Sequence, residues 1–159
     1  MNDYWKYVLF PNFLAGIQDD TFSEMTDADL TTTLNTIVKN ALQRFKFSKV
    51  GLDYSYDDTN DPLDSTPYGF YFSDTNIGDA EYQVIIAYMK VIWIDYQIAT
   101  SRNFSNPFFD KDIKGYSPAN MLTAMKNLKE SYKKDAIELA FDYNRVGDDN
   151  KSALGKING

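Results

Sequence analysis

Between Asp79 and Arg102 the apolar residues Ala80, Val84, Ile85, Ala87, Tyr88, Val91, Ile92, Ile94, Tyr96 and Ile98 cover most of the circumference of a helix. A helix apolar on nearly all sides has no face suited to water, so it must lie at the centre and be wrapped by the rest of the chain. Its longest apolar run, Val84 to Ile94, is about half the length a bilayer span requires and contains Lys90. The spacing therefore predicts a buried helix over 79–102 inside a mainly helical fold, and no membrane association.

Two further long helices are predicted around it. Thr26 followed by Asp29 has the pattern of an N-cap with an acid in the first turn. The set Leu30, Leu34, Ile37, Val38, Ala41, Leu42 and Phe45 then falls on one helical stripe, giving a helix over about 27–46. Ser117-Pro118 pairs a cap with a proline at the first helical position. Met121, Met125, Leu128, Tyr132, Leu139 and Tyr143 follow at alternating four- and three-residue steps, with Asp135 interrupting, giving a helix over about 118–144. Residues 50 to 74 have a different texture, with Gly, Pro, Asn and Asp breaking any helical period. Two short strands near 50–56 and 68–73 are expected there, as a hairpin around an acidic tip. Residues 1–25 carry Trp5, Tyr7, Phe10, Phe13, Leu14, Ile17 and Phe22 without a sustained period and are interrupted by Pro11; they read as an N-terminal arm or a few short turns. Residues 145–159 read as a polar C-terminal tail. The expected organisation is thus one domain over 26–144, three long helices with a hairpin insertion at 50–74, flanked by two arms.

The 159 residues include no Cys and no His. Thiol nucleophiles, disulfides, Cys/His zinc sites, haem ligation by His and every Ser-His-Asp or Cys-His arrangement are thereby excluded. The eight Gly are scattered and form neither a P-loop nor a dinucleotide fingerprint. No cofactor is expected. A net charge of −7 and a pI near 4.5 argue against a general grip on phosphate backbones. Twelve Tyr, eleven Phe and two Trp supply rigid rings suited to partner surfaces. The start MNDYWKYVLFPNFLAGI lacks the basic end and clean apolar run of a signal peptide, so export by that route is not expected.

Asp57, Asp58, Asp61 and Asp64 raise the question of a calcium loop, because hard cations want several oxygen ligands from a tight turn. An EF-hand loop begun at Asp57 would need Gly at its sixth position and Glu at its twelfth, where this chain has Pro62 and Tyr68. The favoured reading is a solvated acidic tip, or one facing a channel that carries DNA, with no metal bound. Nineteen Asp and four Glu contain no feature that selects two as a catalytic pair, so a carboxylate-dependent glycan hydrolase is the minor alternative. Lys126, Lys129, Lys133 and Lys134 lie largely opposite the apolar stripe of the last helix, solvated or meeting an acidic neighbour. Phe104, Phe108 and Phe109, in a loop between two helices, either tuck under the domain or dock on a partner.

The order of elements and the stretch FFDKDIKGYSPANMLTAMKNLKESYKKDAIEL resemble small neck proteins of tailed phages, of the head-tail connector or adaptor type. Three features carry the resemblance over roughly residues 28 to 140. They are an amphipathic helix ending in aromatics (ALQRFKF), a very apolar middle helix with a Trp toward its end (VIIAYMKVIWIDYQI), and an acid-Lys-acid-apolar-Lys turn leading into S-x-A-N and a last long helix. The resemblance implies a structural virion protein without catalytic activity. Such a subunit forms a closed ring, commonly twelvefold, that docks on the portal and continues the DNA channel toward the next neck or tail ring. Trp5, Tyr7, Phe10, Phe104, Phe108, Phe109, Lys111, Lys114 and Tyr116 are the expected interface residues. The subunit would be made in the host cytoplasm and end in the particle's neck; a tail-completion or baseplate component is the nearest alternative. The acidic, aromatic hairpin is the departure from the pattern.

Overall fold

The computed structural model describes residues 3–17, 19–45, 52–73, 77–103 and 118–155. Among them are four helices and one antiparallel hairpin: α1 (Trp5–Ala15), α2 (Asp27–Arg44), β1 (Tyr54–Asn60), β2 (Pro67–Phe72), α3 (Asp79–Asn103) and α4 (Pro118–Gly155). A single 3-10 turn, Asp20–Glu24, joins α1 to α2.

The predicted centre is the observed one. α3 packs against α1, α2 and α4, which is why it is apolar on nearly every side. Val84, Ile85, Met89, Val91 and Ile94 are almost fully buried, each contributing about 1.5 to 3 kcal/mol through its removal from water. From α2, Leu34, Ile37, Val38 and Ala41 face α3, and from α4 Ala136, Ala140 and Tyr143 do so. Trp93 in α3 donates its indole N–H to Asp19 (2.8 Å), and the Gln97 amide reaches the same oxygen (2.9 Å), tying the loop after α1 to the central helix.

α2 begins as its sequence signals. The Thr26 hydroxyl accepts the Asp29 backbone N–H (3.2 Å) and donates to the Asp29 carboxylate (2.7 Å), with Asp27 and Asp29 in the first turn. Thr26→Ala is expected to cost about 1 kcal/mol, read as a shift of the urea midpoint at unchanged slope; no shift would mean the cap contributes nothing.

The first correction concerns the N-terminus. Trp5–Ala15, expected as an arm or short turns, is a fourth helix whose Trp5, Leu9, Phe10 and Phe13 belong to the core. Pro11 stands inside it on the exposed side, where the Tyr7 carbonyl that loses its backbone donor can meet water. The second correction concerns the other end: α4 continues through Gly155, so most of the stretch expected as a tail from 145 is helical.

The hairpin lies close to its expected place. Tyr54 pairs with Phe72 and Tyr56 with Phe70, with an irregularity between Asp57 and Asn60. Gly69, opposite Asp57, sits at φ 81°, a left-handed conformation that side chains resist. The tip is closed by the Asp61 N–H donating to the Thr66 carbonyl (2.7 Å) and the Ser65 N–H to the Asp61 carbonyl (2.8 Å). On the far side of β2, Tyr4 forms a single antiparallel bridge with Tyr71.

Candidate functional site

α1, the N-terminal half of α2 and the hairpin enclose a cleft of about 180 Å³. Its wall is aromatic, formed by Trp5 and Phe10 of α1 and by Tyr56, Tyr68 and Phe70 of the hairpin, and Tyr54 and Phe72 back it by packing on Trp5. The Trp5 ring stacks on Phe70 (5.1 Å between centroids) and leans on Tyr54 (5.3 Å) and Phe72 (5.4 Å), while Tyr56 meets Phe70 edge-on (4.8 Å). Lys39 of α2 caps this cluster with its ammonium 4.1 Å from the Phe70 centroid. Asp27, Ala28, Thr31 and Asn35 of α2 form the opposite wall. Two buried atoms of lining residues, the Trp5 indole nitrogen and the Asn35 amide oxygen, have no hydrogen-bond partner among the described residues.

Beside the cleft, Lys6 gathers the hairpin tip. Its ammonium lies 2.9 Å from Asp61 and 3.2 Å from Asp64, donates to the Thr66 hydroxyl (3.4 Å), and sits over the rings of Tyr7 and Tyr68. Burial acts to lower the ammonium's affinity for its proton, but hydrogen bonds to Asp61 and Asp64 and the charges of both outweigh that and hold its pKa above the ordinary lysine value. Asp64 is exposed, and its carboxylate is held down to about 2 chiefly by the Thr66 hydroxyl, then by the Thr66 N–H, with Lys6 adding to both. Because the folded value lies below the unfolded one, whatever stability this carboxylate contributes is present above the ordinary Asp pKa and disappears as pH falls toward 2. NMR titration should find Asp64 protonating near 2 and Thr66→Val moving it upward; an unmoved value would mean the hydroxyl does not hold it.

The acids expected at a solvated tip therefore differ from one another. Asp58 is exposed. Asp57 is half-buried, accepting the Thr59 hydroxyl, then the Tyr4 hydroxyl (2.7 Å) and the Thr59 N–H, which hold its pKa below the usual range. Asp61 is a correction: it is 1% exposed, facing neither solvent nor a channel, because Lys6 neutralises it and the Leu63 N–H caps it (2.9 Å). Sequence reasoning missed this partner because Lys6 lies in the stretch read as an arm. Trp5 and Phe10, expected on an interface, are core residues, whereas Tyr7 is 45% exposed. Phe104, Phe108, Phe109, Lys111, Lys114 and Tyr116 lie outside the described residues.

On α4, Lys126, Lys133 and Lys134 are exposed, as the helical spacing implied, and Lys129 is drawn into an ion pair with Asp95 of α3. What the reading of the stripe missed is Ile137 and Phe141, which are 52% and 66% exposed. They stand one turn apart and out of phase with the stripe from Met121 to Tyr143, and that phase mismatch is the signal that would have found them. Among the described residues no cluster of His, Cys, Asp or Glu is placed to hold a metal ion, and no helix is long and apolar enough to cross a membrane. Compared with known protein families, characterised proteins and solved structures, the chain matches none.

Proposed function

We infer that this protein is a structural subunit that closes a ring by repeating one contact between copies, serving as a head-tail adaptor in the neck of a tailed phage. In that role it docks on the portal and continues the DNA channel toward the next ring. The observation that carries the reading is the outward face of α4. This helix buries one side on α3 yet leaves an isoleucine and a phenylalanine more than half exposed on another, surface that water disfavours and a neighbour would cover. A ring needs two different, complementary faces on each subunit and no turnover. The carboxylates around Lys6 favour the same reading over hydrolysis. Asp57, Asp61 and Asp64 are each engaged in bonds within the turn or from the hairpin to Tyr4 and Lys6, which suits anchoring better than proton transfer.

The test is the mass of the purified chain by sedimentation and its class averages by electron microscopy, alone and with portal protein. Closed rings of one stoichiometry are the expected result. A particle that stays monomeric under all these conditions would overturn the assignment.

A further inference from the structure

We propose that the contact between copies is head-to-tail, with Phe141 of α4 in one copy inserting into the cleft between α1, α2 and the hairpin of the next. This rests on the ring reading above and specifies its two faces.

Shape gives the first argument. Phe141 is the most exposed aromatic ring among the described residues, and Ile137, one turn away, broadens it into a ridge. The cleft is about 180 Å³, open, and walled by Tyr56, Phe70 and Trp5, a surface a phenyl ring can enter with favourable edge and stacked contacts. A single aromatic anchor seated in a pocket is the usual centre of a binding hot spot.

Charge gives the second argument and selects the occupant. With about 3.6 residues per turn, Lys126, Lys133 and Lys134 fall on the same side of α4 as Ile137 and Phe141. Glu130 shares that side, and Glu138 at its margin is taken up by Lys134 (3.8 Å). The cleft's surroundings are net acidic: Asp27 stands on its wall and Asp58 on β1 beside Tyr56, the wall cation Lys6 is outnumbered by its partners Asp61 and Asp64, and Lys39 is turned onto Phe70. The two faces therefore attract. A parallel α4-to-α4 contact would instead set Lys133 and Lys134 against their own copies, an antiparallel one centred on Ile137 and Phe141 would set Lys133 near Arg145, and a cleft-to-cleft contact would oppose aspartates. The complement to each face is thus present on the same chain, so a second copy is the partner the surfaces fit. A heterologous contact of this kind grows until rotation closes it.

The test uses three full-length proteins: wild type, Phe141→Asp and Thr31→Arg. Both altered positions are exposed, so folding should survive, as circular dichroism will show. The first variant destroys the knob and keeps the cleft; the second fills the cleft mouth with a cation and keeps the knob. Each alone is expected to sediment as a monomer at concentrations where wild type is assembled. Their equimolar mixture should form dimers and nothing larger, because only one good contact exists in it. As a second reading, Thr31→Cys combined with Arg145→Cys, one turn from an intact Phe141 in this otherwise cysteine-free chain, should give a ladder of intermolecular products with a short bismaleimide. If wild type forms rings and Phe141→Asp forms them equally well, the contact lies elsewhere and the ring reading survives. If the mixture stays monomeric and no ladder forms, the head-to-tail geometry is wrong. If wild type itself never assembles, the ring reading fails and this inference with it.

Discussion

Trp5→Ala should destabilise the chain by about 3 to 5 kcal/mol, the range for emptying a buried aromatic site. Trp5 is 1% exposed and touches Tyr54, Phe70 and Phe72, so its ring is the main bond between α1 and the hairpin. An isolated two-stranded hairpin is marginal in water, and this one gains its order from α1 on one side. Removing the indole should therefore loosen both elements together. The measurements are urea unfolding, for the free energy, and a thermal melt, for a melting temperature lowered by on the order of 10 °C, both monitored by far-ultraviolet circular dichroism. Tyr7→Ala, at an exposed position on the same helix, is the control and should cost less than about 1 kcal/mol. Equal effects of the two substitutions would mean that α1 is not anchored through Trp5. Near-zero effects of both would mean that residues 5–15 are an arm after all.

The second large effect is expected at Lys6, and it is asymmetric. Asp61 is 1% exposed, and Lys6, 15% exposed, neutralises it at 2.9 Å. Lys6→Leu leaves a buried carboxylate with the Leu63 N–H as its remaining donor, which should cost about 3 kcal/mol. Asp61→Asn keeps an acceptor for that N–H and leaves Lys6 beside Asp64 at 3.2 Å, so about 1 kcal/mol is expected. Much of the Lys6→Leu loss should return when Asp61→Asn is added, because the stranded charge is then gone. A double-mutant cycle read from urea midpoints decides the matter. Lys6→Leu costing no more than Asp61→Asn would show that the carboxylate finds water or another donor.

The ring reading and the stability predictions stand on different parts of the molecule. Trp5 and Lys6 build the cleft from inside the chain, whereas Phe141 and Thr31 are exposed. A variant at Trp5 that fails to assemble would therefore say little about docking, since the cleft's own wall would be damaged. Phe141→Asp tests docking without that ambiguity.

Where pattern and packing coincided, the chain could be read directly. α2 was legible because a threonine cap precedes one clean stripe, and its observed bounds, Asp27–Arg44, differ from the expected 27–46 only at the end. α3 was legible as the centre because a long helix with apolar residues all round and no breaker inside it has no face suited to water. The hairpin was legible because turn formers separate two aromatic runs, although its strands begin and end a few residues from where the turn signals put them. α1 was not legible. Its apolar residues fall on every side, and Pro11 stands within it, so no period separates an inner face from an outer one.

The candidate site shows the same division. Ile137 and Phe141 were visible as letters out of phase with a stripe, yet nothing local says whether such residues meet solvent or another helix; the placement of α4 on α3 decides that. The cleft and the Lys6 cluster lay beyond reach for a stronger reason. Lys6 and Asp61 are far apart along the chain, and their pairing depends on α1 folding back onto the hairpin. Periodicity and composition are local quantities, and they alone point to a mainly helical chain around one apolar helix, without cysteine or histidine chemistry. Which acids are buried, which aromatics form a wall and which stay exposed were set by packing in three dimensions. Each of those is set by contacts between segments that share no local signal.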